Sequence, residues 1–165
     1  MGAFHAYSAA ITWTGAGETG TTSYTSYSRD HTVVVDGKPD ILGSADPAFR
    51  GDPSRHNPEE LFVASLAQCH LLWFLHMAAQ ADVVVVEYSD HAIGTMRVEA
   101  AGAGQFTEVE LRPRAVLAPG TPGDHSAVVA ELHGRAHDHC FIARSVNFPV
   151  RISPIVVAHE HVPAS

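Results

Sequence analysis

From Leu61 to Ala81 the chain runs twenty-one residues without a charged side chain, within the segment NPEELFVASLAQCHLLWFLHMAAQA. The start of a helix is written in front of this run. Asn57 can cap, Pro58 suits the first helical position, and Glu59 and Glu60 sit where the helix dipole favours anions. Asn57 with Glu60 three residues on has the form of a capping box. A helix over about 58–80 is therefore expected. It can be a membrane span, a core helix or the wall of an active site. Twenty-one residues at about 1.5 Å each would reach about 30 Å, the thickness of bilayer hydrocarbon. Against a span, Ser65, Gln68, His70, His76 and Gln80 interrupt the run and no basic residue flanks it closely. A helix apolar nearly all round is otherwise buried on all sides. A domain of this size struggles to surround a helix of about 35 Å, so a partner subunit would complete the burial.

The polar exceptions are ordered. At about 100° per residue, Ser65, Gln68, Cys69, His76 and Gln80 fall within about 120° of one another, and only His70 lies off the stripe. Cys69 thus shares a face with the polar residues of an apolar helix. Its plainest role is that of a small core hydrophobe. Its more specific role is a thiol at the base of a small pocket with apolar walls.

Composition removes several function classes. The 165 residues suit one domain, and 45% hydrophobic against 17% charged content describes a folded chain. A net charge of −8 argues against non-specific nucleic-acid binding, which needs a basic face, and against an anionic membrane surface. Lys38 is the only lysine and lies in the turn-like DGKPD, so a Schiff-base mechanism is set aside. The N-terminal MGAFHAYSAA has neither the basic region nor the long apolar run of a secretory signal, and a cytoplasmic protein is expected. In a reducing cytosol the two cysteines, Cys69 and Cys140, are more often reactive or idle than a staple.

Along the chain, residues 4–14 and 22–35 read as strands, with Asp36-Gly37 as a turn and residues 38–56 as mostly loop. After the helix, ADVVVVEYSDHAIGTMRVEA reads as one or two strands. QFTEVELRPRAVL alternates as a half-buried strand, residues 122–138 as a helix, CFIARSV as a short helix and FPVRISPIVV as a closing strand. The expected class is α+β with antiparallel sheets around a long buried central helix. One domain would hold N-terminal strands over 1–56, the helix over about 58–80, and strands and helices over 82–158.

NPEELFVASLAQC resembles the osmotically induced and organic hydroperoxide resistance family (OsmC/Ohr). There Asn-Pro-Glu opens the central helix and a cysteine follows ten residues after the Glu, here Glu59 and Cys69. HDHCFIARSV places Cys140 where the family has a second cysteine, and FRGDP matches the segment of the family arginine, with Arg50 the best match and Arg55 its rival. The resemblance spans roughly residues 40 to 157. Phe141 stands where many members have proline. The resemblance implies a thiol peroxidase that reduces hydroperoxides, organic ones preferentially, as an intertwined homodimer. It implies catalytic roles for Cys69, Cys140, Arg50 and Glu59, no bound cofactor, and an external dithiol reductant such as a lipoylated protein.

The residues suit those roles. A thiolate is the nucleophile, and mid-helix Cys69 has no helix N-terminus to stabilise it, so a guanidinium must. Lowering a thiol pKa by about two units takes roughly 2.7 kcal/mol, which one close arginine can supply in a pocket. Glu59 would orient that arginine. Cys140 would condense with a Cys69 sulfenic acid to a disulfide. Ten helical residues separate Glu59 from Cys69 by about 15 Å, so an arginine touching both takes its Glu59 from the other chain.

Two rival classes remain open. His133 and His137, four apart, with His139 and Cys140 following, form a candidate metal set; the plain alternative is a solvated, histidine-rich helix end. His159 and His161 read as exposed. A carrier of an apolar ligand is the third class, which a second thiol argues against.

Overall fold

The computed structural model describes residues 2–157, so His159 and His161 lie outside the described residues. The described residues form two compact units that divide between Phe62 and Val63, and the long helix begins in the first and continues in the second.

In the first unit β1 (Ala10–Trp13), β2 (His31–Val34) and β3 (Ile41–Gly43) make an antiparallel meander. β1 pairs with β2 from Ala10↔Val34 to Trp13↔His31. The strand expected over 22–35 forms only from His31. Before it, the Arg29 guanidinium lies over the Tyr24 and Tyr27 rings at 4.4 and 4.2 Å and donates to both tyrosine carbonyls. That local clasp replaces a sheet ladder with turns. β3 falls in the stretch expected as loop. Beyond it the chain makes a single 3₁₀ turn, Pro47–Phe49, capped by Asp46 accepting from the Ala48 N–H at 2.7 Å.

The helix α1 spans Pro58–Gln80, as expected. Its capping box is formed: the Glu60 N–H donates to Asn57 Oδ1 at 2.8 Å and the Asn57 N–H to Glu60 Oε2 at 3.2 Å. Among the described residues α1 is the one helix long and apolar enough to cross a membrane by length and composition.

The second unit holds two three-stranded sheets. One has β4 (Val85–Asp90), β7 (Pro113–Leu117) and β9 (Ile155–Val157) in the order 4-7-9; the other has β5 (Ile93–Val98), β6 (Gly104–Leu111) and β8 (Val150–Ile152) in the order 5-6-8. The expectation of antiparallel sheets needs correction, because β6 with β8 and β7 with β9 pair in parallel. The cause is local. Each segment expected as one strand contains a proline break, Arg112-Pro113 in the first and Ser153-Pro154 in the second. The halves separate into different sheets, and the later pair runs alongside the earlier pair in the same direction.

The helix α2 (His125–His139) is capped by Asp124, which accepts from the Ser126 N–H at 2.9 Å. The expected CFIARSV helix is a 3₁₀ turn, Ala143–Ser145. The core joins Phe74, Met77 and Ala78 of α1 to Ala115 and Leu117 of β7 and to Val129, Leu132 and Ala136 of α2. Burying a side chain such as Phe74 or Leu132 contributes roughly 1.5–3 kcal/mol. Within the chain α1 is buried along a stripe (Leu66, His70, Phe74, Met77, Ala78) and not all round, while Leu72 and Leu75 on its other faces are exposed.

Candidate active site

Cys69 and Cys140 come together. Cys69 sits in the middle of α1 and is half-buried; Cys140 ends α2 and is 1% exposed. At Cys140 the backbone leaves helical geometry (φ −65°, ψ 110°), which ends α2. Both are free thiols, and the Cys140 thiol is hydrogen-bonded to Cys69. The Ala143 N–H also donates to Cys140 Sγ at 3.5 Å. Burial pushes the Cys140 thiol up to about 11, and its hydrogen bond to Cys69 acts in the same direction. Cys140 therefore keeps its proton at neutral pH.

Cys69 opens into a hollow of about 290 Å³ lined by Leu72, Trp73, His76 and Phe141. Trp73 organises it. Its ring meets His76 edge-on at 5.5 Å and Phe141 edge-on at 5.3 Å, and packs against His139 at 5.2 Å. Leu72 and Phe141 are each 66% exposed, so the apolar wall reaches the surface. Trp73 was not singled out from the sequence, although it lies one helical turn after Cys69; a turn-spaced aromatic on an apolar helix reads as core.

Arg50, Arg55 and Glu59 belong to the first unit. Arg55 faces Asp30 and Asp52, each at 3.7 Å. Arg50 has left-handed backbone geometry (φ 67°), and its guanidinium lies 6.0 Å from the Tyr24 ring centre. Among the described residues neither Arg50 nor Glu59 has an ion-pair partner within the chain. The loop that carries Arg50 is pinned at its base. The Ser44 hydroxyl donates to Asp30 at 3.0 Å and accepts from the Asp52 N–H at 3.1 Å, and the Ser44 N–H reaches the His56 carbonyl at 2.9 Å. At Gly51 a side chain would collide with the Ala45 carbonyl, so only glycine allows this closure.

His133, His137 and His139 form neither the candidate metal set nor a wholly solvated helix end. His139 bonds through Nδ1 to the Arg135 carbonyl at 2.8 Å and packs on Trp73. His133 is buried and shares a 2.8 Å hydrogen bond with His70, Nδ1 to Nε2. Among the described residues no group of three or more His, Cys, Asp or Glu is placed to hold a metal ion. Burial lowers His70 to about 3, helped by His133 and His137, and burial lowers His133 to about 4. The sequence signal for this pair was available. His70 stands four residues from both Leu66 and Phe74, on the apolar row that faces the core.

Comparison with known proteins adds the following. A family model described as OsmC-like protein matches residues 51–154. The structure of an OsmC-like protein of unknown function from Vibrio cholerae is 36% identical, with a TM-score of 0.81 over 92% of this chain and 100% of that one. An organic hydroperoxide resistance protein from Elizabethkingia anophelis is 19% identical, with a TM-score of 0.68 over 94% of this chain and 98% of that one. An organic hydroperoxide resistance protein OsmC from Legionella pneumophila is 17% identical, with a TM-score of 0.68 over 95% of this chain and 100% of that one. These last two likenesses are likenesses of fold. Among curated proteins none matches.

Proposed function

The chain belongs to the OsmC-like family, and from that premise we propose that it is a thiol-dependent peroxidase that reduces hydroperoxides, organic ones preferentially. The observation that supports this reading is the hydrogen-bonded contact of two free thiols beneath an apolar hollow. A structural staple would need the pair oxidised, and a carrier needs no second thiol.

In the proposed cycle the Cys69 thiolate sulfur attacks the terminal oxygen of the hydroperoxide. The S–O bond forms as the O–O bond breaks, and the alcohol leaves with a proton, giving a sulfenic acid on Cys69. Cys140 then loses its proton and its sulfur attacks the Cys69 sulfur. The S–S bond forms, the S–O bond breaks, and water leaves. An external dithiol, with a lipoylated protein as the candidate, returns both cysteines to thiols by exchange. The leucine and aromatic walls of the hollow suit the organic part of the substrate.

Arg50 is the proposed activator of Cys69. Arg55 has two carboxylates beside it, whereas Arg50 has no ion-pair partner among the described residues. Glu59 is the proposed partner that orients Arg50, contributed by the second copy of a homodimer. The helix rise of about 15 Å between Glu59 and Cys69 motivates this, and the exposed apolar residues of α1 supply surface for such an interface.

The test is turnover of cumene hydroperoxide with a dithiol present. Wild type should turn over, preferring it to hydrogen peroxide, and Cys69→Ser should lose activity with an unchanged circular dichroism spectrum. Sustained turnover by Cys69→Ser would refute the assignment.

A further inference from the structure

The thiols are not the only polar groups that meet between α1 and α2. Next to Cys69, His70 enters the core, where its Nε2 and His133 Nδ1 share a 2.8 Å hydrogen bond. The two residues are 1% and 2% exposed, and their rings stack at 5.1 Å with planes 12° apart. The His133 ring also stacks on Phe74 at 4.2 Å. Burial holds both imidazoles neutral, so one nitrogen of the pair donates and the other accepts.

The placement of this pair gives it a bearing on the thiols. On α1, His70 follows Cys69 directly. On α2, His133 precedes Cys140 by seven residues, about two turns, so the two stand on one face of that helix. α2 is thereby attached to α1 at two places about 10 Å apart along its own axis, Cys140 at Cys69 and His133 at His70. The core joining these helices sets Phe74, Met77 and Ala78 with Val129, Leu132 and Ala136, all apolar. Apolar burial is non-directional and does not by itself choose one register of helix on helix. A hydrogen bond is directional, and one at 2.8 Å fixes where α2 stops along α1.

Disulfide closure depends on that register. Two sulfurs must come within about 2.05 Å with a set dihedral angle, and a misplacement of about 1 Å can cost such a reaction about a hundredfold. Within the peroxidase reading, on which this role rests, we propose that His70 and His133 are positioning residues for the resolving step. Their hydrogen bond locks the register of α2 on α1 and so holds Cys140 where its sulfur reaches the Cys69 sulfenic acid. The bonds made and broken remain those of the two cysteines: S–S forms, S–O breaks and water leaves. The imidazoles carry no proton in that step.

The test is rapid-quench mass spectrometry of the full chain after one equivalent of cumene hydroperoxide, which times the Cys69 sulfenic acid and the Cys69–Cys140 disulfide separately. A second measurement uses no peroxide. One equivalent of Ellman's reagent forms a mixed disulfide, and the second release of thionitrobenzoate times closure by the other cysteine. In His133→Phe, with the fold checked by circular dichroism, sulfenic acid should form at the wild-type rate, while closure slows about tenfold or more in both measurements. His70→Phe combined with His133→Phe removes the bond and leaves no imidazole without its partner. It should be equally slow, and it decides the matter if the single variant does not fold. His133→Asn keeps a polar atom in the place of Nδ1 and should close faster than His133→Phe. Closure at the wild-type rate in either folded phenylalanine variant overturns the proposal. So does an equal loss in sulfenic acid formation and in closure, or an asparagine variant no faster than His133→Phe. A wild type that forms no sulfenic acid with peroxide refutes the peroxidase reading instead, and the peroxide-free measurement then decides on the histidines alone.

Discussion

At Cys140 burial and the hydrogen bond to Cys69 act in the same direction, and the two contributions can be separated. Cys69→Ala removes the hydrogen bond and leaves the burial. The Cys140 titration, followed by ultraviolet thiolate absorbance, should then move down from about 11 and still stay above the ordinary thiol range. An unchanged titration would mean that burial acts alone. Cys140→Ser tests the same residue from the other side. One equivalent of organic hydroperoxide should leave a sulfenic acid on Cys69 that a dimedone reagent traps, and excess should carry it on to the sulfinic acid. A disulfide-free wild type after the same treatment would remove Cys140 from the cycle. Both thiols were legible in the sequence because residue type and motif spacing carry them. Their contact was expected only through the family resemblance, because it depends on how the C-terminus of α2 meets the middle of α1.

Among the elements, α1 and α2 are joined through a polar contact in an apolar interface, the His70–His133 pair. Both imidazoles are held neutral, at about 3 and about 4, whereas an unfolded histidine titrates near 6.5. Below that value the unfolded chain takes up protons that the folded chain refuses. Stability from the pair is therefore complete above about pH 6.5 and is lost as pH falls towards 4. Each histidine contributes a slope of up to about 1.4 kcal/mol per pH unit. Urea unfolding of wild type and His133→Phe should differ in this slope between pH 6.5 and 4, with the variant flatter. Parallel slopes would show that the pair is not protected from protonation. α1 was predictable because its cap and apolar row are local, Asn57 with Glu60, whereas α2 begins at His125 behind the Asp124 cap, three residues later than expected. The parallel strands β8 and β9 were not predictable, because pairing with β6 and β7 is set by partners some forty residues away in the chain. The histidine cluster, left open between a metal set and a solvated helix end, is neither, for a related reason. Spacing put His133, His137 and His139 on one helix, but His139 packs on Trp73 while His133 enters the core.

For the whole molecule, the proposed site is shared between two copies, Glu59 of one serving Cys69 of the other. Glu59→Ala and Cys69→Ser homodimers should both be impaired. In a mixed dimer one site carries both lesions and the other carries neither, so each heterodimer should regain about half of the wild-type rate if each lesion disables its site in full. No rescue in verified heterodimers would place both residues in one chain. Gly51→Ala should also lower turnover, because the loop that holds Arg50 cannot close over the Ala45 carbonyl with a side chain there. Full activity with an intact fold would detach that loop from catalysis. The central claim is that Cys69 takes the oxygen and Cys140 closes the disulfide. It is tested most directly by intact-mass and peptide mass spectrometry after one equivalent of cumene hydroperoxide. Wild type should lose two hydrogens per chain through a Cys69–Cys140 disulfide as the peroxide disappears, and Cys69→Ser should leave the peroxide unconsumed. Consumption of the peroxide by Cys69→Ser, or a wild-type chain with both thiols still free, would contradict it.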